Sequence, residues 1–172
     1  MDQQERIRTS FERNARALAL RPALGRGTAS TRVTVRDGLT CDVEDGPWRL
    51  TADMGEKSGG NNQGPNPGVL GRAALGTCLA VSYMLWASKL NVAIARLEVE
   101  VQTDYDSRGY HGVDDVPAGY EAIRYLVTVK SEASETEVLR ALDMADRNSD
   151  FLALYRNPQE VTREVRVLAP RG

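Results

Sequence analysis

The sequence predicts an α/β fold of the α+β type, in which antiparallel sheets pack around one long, buried helix. Short β-type segments lie on both sides of a long apolar helix that has no polar face. Tight turns of the kind that link antiparallel strands separate several of these segments. At 172 residues, the chain is long enough for one domain with its own core and a short appended segment.

The chain begins with a predicted amphipathic helix over residues 3–20. The apolar residues that share one side of this helix are Ile7, Phe11, Ala15 and Leu18. We interpret residues 1–21 as an arm, residues 22–30 as a connector broken by proline and glycine, and residues 31–172 as the main domain. We expect the arm to pack on its own chain or on a partner subunit. Contact with a membrane or nucleic acid is the alternative.

Short strands and a loop are predicted next. The strands are Thr31–Val35, Leu39–Val43 and Trp48–Ala52. Asp-Gly pairs at Asp37-Gly38 and Asp45-Gly46 separate them, and such pairs are typical of hairpin turns. The following segment, Gly55–Gly64, is rich in glycine, asparagine and serine and therefore predicts a flexible loop.

Asn66-Pro67 marks the start of the main helix, because asparagine is a good N-cap and proline is tolerated at the first helical position. We expect this helix to run to about Leu90. Its segment Ala73–Ala87 carries no charge and is apolar or small nearly all round, which predicts burial. The uncharged segment is shorter than the roughly 20 residues that a membrane span needs. Its small residues would let another backbone approach closely.

The second half of the chain predicts a long hairpin followed by a helix and a strand. Residues 96–105 and 123–129 each alternate apolar and polar side chains, as strands with one buried face do. Ser134 and Glu137 have the spacing of a capping box, which predicts a helix running to about Asn148. The alternating segment Val161–Leu168 predicts a final strand.

The composition limits the possible chemistry. The net charge of −2 gives no global basic field for binding nucleic acid or an anionic membrane. Two cysteines are too few for a disulfide framework, and with no apolar leader segment we expect a cytoplasmic protein. One histidine makes a structural zinc site or a Ser-His-Asp triad hard to assemble, although a carboxylate-rich metal site stays open. We expect no cofactor, and any chemistry to belong to a thiol.

An ordered set of motifs carries a resemblance to a known family. The set consists of Arg36-Asp37-Gly38, Asn66-Pro67, Cys78 within the long helix, and the segment Ala145–Ser149. Together with the order of elements between Thr31 and Leu168, this set resembles the osmotically inducible protein C and organic hydroperoxide resistance (OsmC/Ohr) superfamily. The N-terminal helix lies outside the resemblance.

The resemblance implies a homodimer whose two subunits wrap around each other, with active sites at the interface. It implies that Cys78 stands where the family keeps its peroxidatic cysteine, and Arg36 where the organic hydroperoxide resistance branch presents an active-site arginine. In the family, the thiolate reduces an organic hydroperoxide and becomes a sulfenic acid, which a second cysteine then captures as a disulfide. A carboxylate near the start of the helix orients the arginine.

This sequence departs from the family pattern at two positions. Gly68 stands in place of the carboxylate, and Ser149 stands in place of the second cysteine. We interpret Ser149 as a polar residue at a helix end, and Cys41 as a core residue of the second strand. Arg72 is a second candidate partner for the thiolate, although it lies on a different helix face from Cys78.

The leading hypothesis is a thiol-dependent peroxidase with a one-cysteine site, in which Cys78 and Arg36 act on an organic hydroperoxide and an external thiol completes the cycle. An alternative is a noncatalytic relative that binds a small apolar ligand at the dimer interface. A third possibility is a module that binds a protein partner through the N-terminal helix.

Overall fold

The computed structural model describes residues 2–169. Residue 1 of the predicted arm and residues 170–172 of the predicted main domain lie outside the described residues. The helices are α1 (Gln3–Leu20), α2 (Pro67–Lys89), α3 (Ser107–His111), α4 (Glu135–Arg147) and α5 (Asp150–Arg156). The strands are β1 (Arg32–Asp37), β2 (Thr40–Asp45), β3 (Trp48–Ala52), β4 (Ile94–Tyr105) and β5 (Tyr120–Ser131). The predicted mixed fold, with antiparallel sheets and one long helix, is confirmed.

Strands β1, β2 and β3 form an antiparallel sheet in that order, as predicted. Gly38 and Gly46 take positive φ angles of 54° and 51° at the two turns, a conformation that glycine adopts readily. Because Val33 pairs with Val43, and Val43 with Leu50, one face of the sheet is apolar. In the described part of the chain, these strands pack mainly on one another, so this face is largely exposed.

The predicted glycine-rich loop is anchored by Asp53, a buried carboxylate at the end of β3. Its oxygens accept hydrogen bonds from the Thr40 hydroxyl at 2.8 Å and from the backbone amides of Met54, Asn61 and Gln63. Burial raises the pKa of Asp53, but these hydrogen bonds outweigh burial and hold the pKa below its ordinary value. A side chain at Gly60 would collide with the Met54 carbonyl, so the close loop path requires glycine there.

Helix α2 begins where the sequence predicts, with the Asn66 side chain accepting a hydrogen bond from the Val69 amide at 3.0 Å. One side of the helix is buried in the chain, and it contacts β4, α4 and α5. By length and composition alone, the whole helix is long and apolar enough to cross a membrane. The same length and composition are found in core helices of globular proteins.

The long hairpin and the capped helix are both confirmed. β4 and β5 are antiparallel, and Val99 pairs with Val127. The Ser134 hydroxyl accepts from the Glu137 amide at 3.3 Å, while the Glu137 carboxylate accepts from the Ser134 amide at 3.0 Å. The core between α2, α4, α5 and the hairpin is centred on the buried residues Leu75, Leu79, Tyr83, Ala145 and Leu152. The short helix α3 lies in the connection between β4 and β5.

Helix α1 packs on α2 of its own chain. The Phe11 ring meets the Trp86 ring edge to face with centroids 5.5 Å apart, and the Lys89 ammonium lies 4.3 Å from the Trp86 centroid. The Gln4 side chain also donates to the Val92 carbonyl at 3.1 Å. The structure therefore agrees with the interpretation in which the arm covers its own body.

The predicted final strand, Val161–Leu168, is wrong for the single chain. After α4 the chain forms α5, which we did not predict, and residues 158–169 then follow without helix or strand. A strand requires a neighbouring edge for its hydrogen bonds, and no strand of the described chain pairs with this segment. Its apolar side chains are therefore exposed, with Val161 at 89% and Val167 at 91%.

Candidate functional site

Cys78 lies near the middle of α2 and is half-buried. Its sulfur is 3.7 Å from the Ser149 hydroxyl oxygen, within hydrogen-bonding range for sulfur. The helix brings Cys78 to this position because the neighbouring residues Leu75 and Leu79 fix the buried side of α2 in the core. The site therefore contains a thiol, partly accessible to solvent, beside a single hydroxyl group.

Ser149 is the N-cap of α5, which agrees with our interpretation of it as a polar residue at a helix end. It lies in the junction between α4 and α5 and is 4% exposed. Its hydroxyl oxygen caps α5 by accepting a hydrogen bond from the Leu152 amide at 3.3 Å. The fold thus places the Ser149 hydroxyl directly against the Cys78 sulfur.

A cluster of polar side chains lies near this site, with Tyr83 five residues after Cys78 in α2 and Asp146 three residues before Ser149 in α4. The phenol groups of Tyr83 and Tyr125 both donate to the Asp146 carboxylate, at 2.7 Å and 2.8 Å. Burial, together with the Asp146 charge, raises the pKa of Tyr83 far above its ordinary value. Burial and Asp146 also raise the pKa of Tyr125, which Arg156 partly opposes. These phenols therefore stay neutral and tie α2 and β5 to the end of α4.

Arg36 lies at the end of β1, on the small sheet. Its guanidinium forms an ion pair with Asp42 at 3.2 Å, and about half of its side chain is exposed. It borders a polar cleft of about 470 Å³ that also contains Thr40, Glu56 and Asn61. In the part of the chain that the structure describes, Arg36 does not contact Cys78. One chain alone does not bring the two predicted site residues together.

Arg72 lies on the side of α2 that faces β4, where it donates to the Thr103 hydroxyl at 3.4 Å. This agrees with its predicted placement on a different helix face from Cys78. The Cβ of a side chain at Gly68 would lie 3.5 Å from the Arg72 guanidinium. Cys41 is half-buried in β2, and its sulfur lies 3.7 Å from the Leu39 carbonyl oxygen.

Sequence reasoning missed the tyrosine pair and Asp146. The only available signal was Tyr83 within an otherwise apolar helix, since a buried tyrosine usually needs a partner for its hydroxyl. Among residues 2–169, no group of three or more histidine, cysteine, aspartate or glutamate side chains is arranged to hold a metal ion.

The fold and the site define a class of protein: an α+β domain with one thiol on its long central helix. The match to a family is more specific. Residues 59–164, more than half of the chain, match the family described as OsmC-like protein. The chain therefore belongs to the OsmC-like family, as its motifs indicated.

Solved structures of low sequence identity share this fold. An OsmC-like protein from Mycoplasma pneumoniae is 15% identical, covers 76% of this chain and 88% of its own, and gives a TM-score of 0.64. An organic hydroperoxide resistance protein OsmC from Legionella pneumophila is 13% identical, with coverage of 76% and 90% and a TM-score of 0.57. A putative organic hydroperoxide resistance protein from Vibrio cholerae, with captopril bound in one active site, is 16% identical, with coverage of 76% and 87% and a TM-score of 0.53. Comparison with curated proteins finds no match.

Proposed function

We propose that this protein is a thiol peroxidase that reduces organic hydroperoxides through Cys78 alone. The observation that carries the proposal is the position of Cys78, which is half-buried on α2 with Ser149 against its sulfur. Membership of the OsmC-like family supports it, as do the names of the neighbours from Legionella and Vibrio. We place this activity in the cytoplasm, where thiols stay reduced.

The proposed reaction needs an external thiol. The Cys78 thiolate attacks the terminal peroxide oxygen, so that an S–O bond forms, the O–O bond breaks and the alcohol leaves after taking up a proton. The sulfur is then a sulfenic acid, and Ser149 cannot condense with it as a cysteine would. An external thiol attacks the sulfenic sulfur and releases water, and a second thiol reduces the mixed disulfide.

In the proposed site, Arg36 of one subunit acts on Cys78 of the other subunit. Because Arg36 lies on a sheet that packs little on its own chain, a second copy is needed to bring this guanidinium to Cys78. There it would stabilise the thiolate by its positive charge. The expected assembly is a homodimer with both sites at the interface.

Mass spectrometry after stoichiometric cumene hydroperoxide tests the one-cysteine cycle. We expect the mass of one added oxygen on Cys78, trapping of that product by dimedone, and slow turnover when only a dithiol reductant is supplied. The Cys78→Ser variant is the control and should lose the product. A rapid Cys41–Cys78 disulfide that supports many turnovers would show that Cys41 resolves the sulfenic acid. Absence of any oxidation at Cys78 would overturn the proposed activity.

A second candidate function is noncatalytic binding of a small apolar ligand. The observation that favours it is an open groove of about 490 Å³ between α2 and β4, with Ala73, Gly76, Val99 and Val101 in its lining. The bound captopril of the Vibrio neighbour shows that a relative's active site accepts a small organic molecule. Retention of a fluorescent fatty acid by the Cys78→Ser variant, together with no peroxide consumption by the wild type, would favour this candidate.

A further inference from the structure

We propose that Ser149 is a catalytic residue whose hydroxyl donates a hydrogen bond to the Cys78 thiolate. The serine would thus activate Cys78 for attack on the peroxide, a role different from that of a second cysteine, which captures the sulfenic acid. The proposal deepens the proposed function and rests on it for its biological purpose. Its physical content, a hydrogen bond that stabilises the thiolate, does not depend on the oxidant.

The direction of this hydrogen bond follows from the partners of the Ser149 hydroxyl. A hydroxyl group has one proton to donate and two lone pairs that accept. The Leu152 amide occupies one lone pair at 3.3 Å, and the sulfur lies 3.7 Å from the same oxygen. With a neutral thiol, either atom can be the donor. Once Cys78 is a thiolate the sulfur has no proton, so Ser149 must donate, and this preference stabilises the charged form.

The structure holds Ser149 in place from several sides. Its backbone amide donates to the Asp146 carbonyl at 3.4 Å, and the Asp146 side chain is fixed by the phenols of Tyr83 and Tyr125. Leu152, one turn into α5, is buried in the core. Because Tyr83 is on the same helix as Cys78, the cluster sets the distance between α2 and the start of α5. A fixed donor does not have to be ordered when the thiolate forms.

The alternative is that Ser149 only caps α5, which requires its oxygen but not its proton. Two substitutions separate these roles. Ser149→Gly removes the hydroxyl, yet glycine caps a helix almost as well as serine. Ser134→Ala is the matched control, since it removes the cap of α4 at the opposite end of that helix from Cys78.

The test is the rate of Cys78 alkylation by iodoacetamide as a function of pH, measured by intact mass in full-length protein carrying Cys41→Ser. The rate at high pH reports access to the sulfur, while the midpoint of the curve reports stabilisation of the thiolate. For Ser149→Gly we expect about tenfold slower alkylation at pH 7 and a midpoint about one pH unit higher. Ser149→Thr should behave like the parent protein. Ser134→Ala should keep its midpoint while losing thermal stability.

An unchanged midpoint in Ser149→Gly would overturn the proposal, as would an equal shift in Ser134→Ala. The outcome is distinguishable from failure of the proposed function. If the midpoint shifts but cumene hydroperoxide leaves Cys78 unoxidised, the hydrogen bond stands and the peroxidase activity falls. If peroxide oxidises Cys78 at the same rate in Ser149→Gly and the parent, the activity stands and the role of Ser149 falls.

A further variant tests the contact itself. In Ser149→Cys, peroxide should convert Cys78 to a sulfenic acid, which the introduced thiol attacks with release of water to form an intramolecular disulfide. We expect the loss of two hydrogens by mass in most of the protein. Free thiol at position 149 beside fully oxidised Cys78 would contradict the close approach of these two side chains.

Discussion

The sulfur atoms of Cys78 and Cys41 have different polar neighbours. Cys78 faces a hydroxyl that is able to donate, whereas Cys41 faces the Leu39 carbonyl, which only accepts. We predict that Cys78 is alkylated several times faster than Cys41 at neutral pH. Timed alkylation followed by peptide mapping measures both rates in one sample. Faster labelling of Cys41 would reverse the assignment of the reactive thiol.

Among single residues, Tyr83 should contribute to stability through its phenol group. We predict that Tyr83→Phe lowers the free energy of unfolding by about 1–3 kcal/mol, because Asp146 loses one of its two phenol donors. Urea denaturation at pH 7 measures this change. Tyr110→Phe, which alters a tyrosine with 78% exposure, is the control and should have little effect. Equal stability of the two variants would contradict the prediction.

The raised pKa of Tyr83 adds a pH dependence. In the unfolded chain this phenol ionises near its ordinary value of 10.0, while in the folded chain burial and Asp146 keep it neutral. Its contribution is therefore complete below about pH 10 and is lost as pH rises above that value. The stability of the wild-type protein should decline above pH 10 more steeply than that of Tyr83→Phe.

At the scale of secondary-structure elements, the sequence correctly predicted the helices whose starts are marked by capping residues. Asn66 and the Ser134 capping box mark the starts of α2 and α4, and both caps form. Helix α5 is only 7 residues long, and its cap, Ser149, was interpreted as the end of the preceding helix. The alternation of Val161–Leu168 is genuine, but a strand also depends on a partner edge that the sequence does not specify.

For the candidate site, the sequence predicted individual residues but not the contacts between them. Cys78 and the position of Ser149 followed from the motifs, but their contact depends on how α4 and α5 pack against α2. That packing brings together residues far apart in sequence, as the Cys78 to Ser149 contact and the Tyr83 to Asp146 hydrogen bond show. Arg36 was identified from its motif, but in the single chain it pairs with Asp42, and its approach to Cys78 through a second chain stays a prediction.

Helix α1 is stabilised by a small aromatic contact, and this predicts the effect of one substitution. Phe11→Ala should lower the free energy of unfolding by about 1–2 kcal/mol, because the edge-to-face contact with Trp86 and its apolar burial are lost. When Phe11→Ala is added to a Trp48→Phe background, the fluorescence emission of Trp86 should shift to longer wavelength. Leu20→Ala, at a residue of the same helix with 77% exposure, is the control. An unchanged spectrum and stability would show that α1 does not pack there in solution.

At the scale of the whole molecule, a single chain leaves three apolar surfaces without cover. One side of α2 is uncovered, and Val81 on that helix is 59% exposed. The apolar face of the small sheet exposes Val33 and Val35 at 58% and 64%. The alternating segment Val161–Leu168 has no strand partner. Monomeric proteins rarely expose such contiguous apolar surface.

A second copy would cover all three surfaces, so we predict a two-fold dimer that buries well over about 2,000 Å² in total, the range of obligate dimers. Light scattering at micromolar concentration should give twice the chain mass of 18.9 kDa.

Val81→Arg should weaken the dimer, because a charge placed on the uncovered side of α2 would be buried without a partner. Val113→Arg changes a similarly exposed valine outside α2 and should leave the dimer intact. If Val113→Arg dissociated the dimer while Val81→Arg did not, the interface would lie away from α2. A stable wild-type monomer would remove the route by which Arg36 reaches Cys78, and with it the arginine from the proposed mechanism.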